Sequence, residues 1–282
     1  MPLWNKLREG AVTRIQSVPR RARRRLGGRP VDEEPLQLVS GAGYRIAAKL
    51  SRPASRGPWP AVLLCPGTDD PGTVFDGWSQ PVNARELASR GWIVLHFDPA
   101  GRGESWGEED YGGLEHQDNV RACLQHLRGR SDVRSLGVLT ISMGVAMGVG
   151  AVARHGAELG VDWLLDWEGP CDREIITAGG DIMAPAMGHT LEDESYWKPR
   201  EAVRSVGALP CGYVRIQAER DHAQPGEVRH AERMMRACGE GTLPWFQLND
   251  HRRGEVPTAP RWYAGGRTEA NQVLLRHLAA LG

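Results

Sequence analysis

The chain has 282 residues, of which 40% are hydrophobic and 25% charged, the balance of a soluble globular protein with room for one large α/β domain and insertions. Its 35 Lys+Arg equal its 35 Asp+Glu, yet residues 1 to 30 hold nine basic side chains against the single acid Glu9. That net of +8 leaves the remainder near −8, which argues against a nucleic-acid surface on the main body. Cys65, Cys123, Cys171, Cys211 and Cys238 are scattered and odd in number, without a C-x-x-C pair; this predicts reduced thiols in a cytoplasmic protein, with neither a disulfide framework nor a zinc site.

At the N-terminus, Leu3, Trp4, Leu7, Ala11, Ile15 and Val18 recur at helical spacing between basic residues, so residues 2 to 18 read as an amphipathic helix. Three roles suit it: weak contact with an anionic membrane surface, a transit peptide, or an extension with a solvated basic face. No secretory signal or twin-arginine signal is recognisable, and no apolar stretch approaches the ~20 residues of a membrane span. Residues 20 to 35 read as a linker, giving an extension over 1 to 35 and a main domain over 36 to 282.

Residues 36–39 and 44–50 flank Ser-Gly-Ala-Gly and predict a hairpin. A buried strand over 61–65 follows, then the turn-rich loop from Pro66 to Gly72. A helix over 83–90, a strand over 92–97, the loop DPAGRGESWG and a helix over 113–128 come next. The apolar run LGVLTI, residues 136–141, is too short for a helix and suits a buried strand. Further strands are predicted over 161–167, 213–218 and 243–249, with helices over 227–238 and 268–281. Strands alternating with helices imply parallel neighbours joined by right-handed crossovers. Residues 170 to 207 break that alternation and read as a small inserted cap.

Directly after the 136–141 strand stands Ser142, followed by Met143, Gly144 and a run of small and apolar residues that suits a buried helix. A serine on a sharp turn between strand and helix, with small residues two positions to either side, matches G-x-S-x-G except that Thr140 replaces the first glycine. Serine is a weak nucleophile at neutral pH, so it needs a base and an acid to hold that base. Asp221, after the 213–218 strand, suits the acid. His251, just beyond the last strand, suits the base. Their neighbours His222 and Asp250 are the nearest rivals, and Asp172 is a rival acid after the strand ending at Trp167. A developing oxyanion calls for two N–H donors: that of Met143, and that of Thr68 or alternatively Asp69.

Taken together, residues 36 to 282 resemble the α/β-hydrolase superfamily. DPAGRGES is similar to its D-x-R-G-x-G-x-S loop, and the segment from Asp193 to Pro225 resembles the approach to the catalytic acid in the dienelactone-hydrolase-like and prolyl-oligopeptidase-like branches. The resemblance implies an α/β-hydrolase fold with a mostly parallel sheet of about eight strands, helices on both faces and a cap. It also implies nucleophile and acid roles for Ser142 and Asp221. Arg252 departs from the glycine or aromatic residue common after the family's histidine. No propeller precedes residue 36, and a serine nucleophile speaks against dehalogenase or epoxide hydrolase chemistry. The chain lacks a metal cluster and the phosphate loop G-x-x-x-x-G-K-[ST], so a cofactor-free serine esterase acting on a small-molecule ester is expected. A small-peptide peptidase and a non-catalytic binding module are the alternatives. Met183, Met187, Tyr196 and Trp197 in the cap are either an apolar acyl pocket or, for the two aromatics, glue between cap and sheet.

Overall fold

The computed structural model describes residues 28–177, 187–224 and 226–282. The N-terminal helix expected over 2 to 18, and Met183 in the cap, lie outside these residues. Eight strands form one sheet in the order β1-β2-β4-β3-β5-β6-β7-β8: β1 (Val31–Val39), β2 (Arg45–Pro53), β3 (Trp59–Cys65), β4 (Ile93–Phe97), β5 (Val133–Ile141), β6 (Trp163–Trp167), β7 (Gly212–Ile216) and β8 (Phe246–Leu248). The first two strands run antiparallel to their neighbours, and β3 through β8 are mutually parallel. The hairpin is longer than its apolar pattern suggested. β1 begins at Val31, inside the stretch read as a linker, because its charged residues 32–34 face solvent at the sheet edge.

Alternate residues of the central strands enter different cores, as the two-residue period of a strand requires. Leu63, Leu95 and Val138 pack toward α2 (Leu114–Arg128), α3 (Gly144–Leu159) and α4 (Arg229–Glu240). Val62, Leu64, Val94 and Leu139 face α1 (Ala84–Ser89) and α5 (Arg267–Leu281). A third, smaller cluster joins Met143 and Ala146 to Ile176, Met187 and Trp197 of the cap. All five cysteines are buried and free, and burial pushes their thiols up, that of Cys211 to about 12. No described helix is long and apolar enough to cross a membrane.

Crossovers between parallel strands leave loops at the C-terminal strand ends, where ligands of open α/β sheets usually bind. Backbone strain concentrates there too. Of the five non-glycine residues with positive φ among the described residues, Asp69, Ser142, Glu168 and Asn249 follow β3, β5, β6 and β8. A left-handed non-glycine residue costs on the order of 1 kcal/mol or more and persists where the surroundings hold it.

Candidate active site

Ser142 has φ 52° and sits between the end of β5 and the start of α3. Its N–H donates to Trp167 O at 3.0 Å, and its carbonyl accepts from Val145 N. The turn is tight enough that a Cβ at Gly144 would stand 2.6 Å from the Cys65 carbonyl oxygen, so only glycine fits there. Thr140 is accommodated from the other side. A Cβ at Gly148 would lie 2.3 Å from the Thr140 methyl, so glycine in α3 vacates the space that the branched side chain fills. The Thr140 hydroxyl donates to the buried Asp166 at 3.3 Å. The departure at Thr140 is thus matched within the same helix.

Opposite the serine runs the loop after β3. A Cβ on Gly67 would approach the Ser142 Cβ to 3.3 Å, which places this backbone against Ser142. Arg102 holds the loop from behind: its Nη1 donates to Gly67 O at 2.6 Å and to Asp70 O at 3.3 Å, while Nε and Nη2 bind Glu109. Asp98 ties the same region together by accepting from Gly72 N and Glu104 N. The DPAGRGES segment therefore serves as a clamp on the loop that carries Thr68. Among the described residues, neither the Thr68 nor the Met143 N–H donates to a protein acceptor, and Met143 stands at the N-cap of α3, where amide groups point outward without intrahelical partners.

The loop after β7 carries Asp221, which is 4% exposed. It accepts from Gln217 Nε2, Ala223 N and Gln224 N, and lies 3.4 Å from His230 Nε2. Burial alone would raise its pKa, but these hydrogen bonds outweigh it and hold the carboxyl well below the usual carboxylate range. Beneath it, Arg215 pairs with Asp166 at 2.5 Å and donates to Gln217 Oε1 at 2.6 Å, linking β6 and β7 through a buried polar chain.

The expected pairing of Asp221 with His251 is not formed. His251 Nε2 accepts from the Arg261 N–H at 2.8 Å, and among the described residues no hydrogen bond joins it to Asp221 or Ser142. The reason is local. β8 ends after three residues, and the left-handed Asn249 turns the chain away while Asp250 binds Tyr263 and Arg276. His222 is held by the residue after β6: its Nδ1 lies 2.8 Å from Glu168 Oε2, which also accepts the His222 N–H at 3.0 Å. Asp172, the other candidate acid, caps the turn Arg173–Ile176 and binds Arg233. The acid at the end of β6 is Glu168, which sequence reasoning passed over; its signal was its place as the first residue after a buried strand.

Glu168, Asp221 and His222 place one ligand atom each within 4.8 Å of one another. Their donor capacity is already directed inward, since Glu168 accepts from Ala218 N as well as His222 and Asp221 accepts three N–H groups. The set is a hydrogen-bond network built from the protein's own donors. A cleft of about 540 Å³ adjoins it, lined by Gln80, Pro81, Trp167, Glu168, His222 and Gly265. A larger one, about 890 Å³, opens beside Trp59 and Trp92 where β3 and β4 begin, at the end of the sheet away from Ser142.

In the cap, Met187 is 6% exposed and Trp197 fully buried, both packed with Met143. The Trp197 indole donates to Thr190 O at 2.8 Å, and Tyr196 packs edge-on against Trp197. These contacts fasten the cap over the start of α3.

No family model matches the chain, and no curated protein sequence does either. Solved structures do resemble it. An esterase from Pyrococcus furiosus is 14% identical with a TM-score of 0.63, over 88% of this chain and 88% of that one. The dipeptidyl peptidase 4 of Porphyromonas gingivalis is 17% identical with a TM-score of 0.64, over 90% of this chain and 35% of that one. A puromycin-hydrolyzing peptidase from Mycobacterium tuberculosis is 16% identical with a TM-score of 0.62, over 88% and 38%. The chain thus spans little more than a third of either peptidase. These likenesses, with the eight-stranded sheet, show an α/β-hydrolase fold, and the neighbours with that fold include both esterases and peptidases.

Proposed function

We propose that the protein is a serine hydrolase that cleaves a small carboxylic ester through an acyl-enzyme on Ser142. The observation that carries this reading is the strained turn at Ser142, with φ 52°, packed against a backbone loop that Arg102 clamps from behind. Ser142 Oγ attacks the ester carbonyl, its proton passing to an imidazole at the same strand edge. The carbonyl oxygen becomes an oxyanion between the N–H groups of Met143 and Thr68. Each such donor contributes on the order of 3 kcal/mol to the transition state. Collapse expels the alcohol, and water then releases the acid by the same route.

The turnover of short p-nitrophenyl esters by the wild type and by Ser142→Ala tests this. A loss of at least about 10³-fold in kcat is expected for the variant, and equal turnover overturns the reading. Likeness to peptidases motivates a second reading, hydrolysis of small peptides, and a panel of aminoacyl amides beside acyl esters separates the two.

A further inference from the structure

The loops after β7 and β8 offer two histidines to the strand edge, and the geometry treats them differently. Ile141 pairs with Trp167 in the parallel register of β5 and β6, so Ser142 and Glu168 are the next residues of adjacent strands, about 5 Å apart at ordinary strand spacing. Both have left-handed backbones, with φ 52° and 51°. His222 is fixed to Glu168 twice, through its N–H and through Nδ1. Its ring stacks on Trp167 at 4.6 Å between centroids, and the Trp167 carbonyl is the group that accepts the Ser142 N–H. An ionised carboxylate only accepts hydrogen bonds, so Nδ1 carries the proton and Nε2 is left as the acceptor. The His222 side chain is 30% exposed and lines the cleft of about 540 Å³.

The loop after β8 comes back to this edge as well, where Tyr263 pairs with Ala218 beyond β7. What it brings to the cleft is Gly265, Gly266 and Arg267. His251, at the beginning of that loop, is occupied by the Arg261 N–H. The loop that would ordinarily deliver the base delivers no imidazole.

We infer that His222, oriented by Glu168, is the general base for Ser142. The inference rests on the assignment of Ser142 as nucleophile. As the Ser142 Oγ bond to the acyl carbon forms, the hydroxyl proton moves to His222 Nε2. The imidazolium, flanked by the Glu168 and Asp221 carboxylates at 2.8 Å and 3.6 Å, is stabilised by both. It returns the proton to the departing alkoxide as the ester C–O bond breaks. In the second half His222 takes a proton from water as the hydroxyl adds to the acyl carbon, and gives it to Ser142 Oγ as the acid leaves. Catalytic hydrogen bonds often close only when substrate is bound, in keeping with a Ser142 hydroxyl that has no partner among the described residues. Glu168 is a positioning residue: it fixes the tautomer and orientation of the ring.

The test measures kcat and KM on a short p-nitrophenyl ester for the wild type, Ser142→Ala, His222→Ala, His222→Gln, His251→Ala and Glu168→Gln, with and without added imidazole, alongside each variant's Tm. Loss of a general base costs roughly 10²- to 10⁴-fold. His222→Ala is expected to lose that factor in kcat with KM little changed, and to recover part of it with imidazole. His251→Ala stays within about threefold of wild type. Glu168→Gln lowers kcat about 10²-fold and is not rescued, because the ring remains in place. Should His222→Ala fail to fold, His222→Gln retains a donor toward Glu168 and carries the comparison without rescue. If folded His222 variants keep wild-type kcat, if imidazole restores nothing to a folded His222→Ala, or if His251→Ala suffers the larger loss, the assignment of His222 is overturned. If Ser142→Ala is as active as wild type, the nucleophile assignment itself has failed, a distinct result.

Discussion

Two Asp-His pairs follow the last two strands, Asp221-His222 after β7 and Asp250-His251 after β8, and the protein uses them in opposite ways. Asp221 is 4% exposed and holds its loop through Gln217, Ala223 and Gln224, and the His222 ring beside it bonds to Glu168. Asp250 is exposed and ties the loop to α5 through Arg276, and His251 bonds to the Arg261 backbone beside it. The same dipeptide at the same kind of position has its aspartate buried in a hydrogen-bond network in one case and exposed in a surface ion pair in the other. What differs is the partner supplied by the neighbouring strand. β6 is followed directly by Glu168, whose carboxylate reaches β7's loop, whereas β8 lies at the edge of the sheet beside β7.

The inside-outside contrast extends to the cap and gives the largest expected effect there. Trp197→Ala should lower stability by about 3–5 kcal/mol, measured by urea denaturation, because the indole is fully buried against Met143 and Met187. The ratio of activities on short and long acyl esters should hold. A changed ratio at unchanged stability would make Trp197 part of the acyl pocket instead.

Within the two loops, Asp221→Ala should cost about 3 kcal/mol, since it strands buried donors, while Asp250→Ala should cost less than about 1 kcal/mol for an exposed ion pair. Equal losses would break the comparison. Its pH dependence sharpens it. The Asp221 carboxyl is held below its unfolded value, so its contribution is complete above the ordinary aspartate range and is lost as pH falls through and below it. Urea midpoints from pH 6 to pH 2 should therefore fall less steeply for Asp221→Asn than for the wild type, and Asp250→Asn should leave the slope nearly intact.

The smallest effect is expected at His251. Its Nε2 accepts one exposed backbone N–H, so His251→Ala should change stability by about 0.5 kcal/mol, read in the same denaturation series. A loss several times larger would mean that the loop after β8 depends on this imidazole.

The fold was legible because its signals are local. β-branched runs bounded by Gly and Pro gave the central strands, and Ser142 before Met143-Gly144 gave the turn. The first residues of β1 were not, since Asp32, Glu33 and Glu34 face solvent on an edge strand and resemble a linker in composition. In the site, Ser142, Asp221 and the loop with Thr68 are brought to one edge of the sheet. The base proposed here was not legible, because order along the chain favours the histidine after the last strand, and the register of β5 with β6 is what sets Glu168 beside Ser142, with His222 bonded to it. Thr140 departs from the motif, and what accommodates it, Gly148 one turn into α3, is a contact across the strand-helix packing rather than a local signal.

The proposed hydrolysis requires Ser142 to be an activated nucleophile, and intact-protein mass spectrometry after treatment with a fluorophosphonate tests that directly. One adduct per chain, mapped to Ser142 and lost in Ser142→Ala, is the predicted result. No adduct on folded protein, or an adduct that persists in Ser142→Ala, would contradict it.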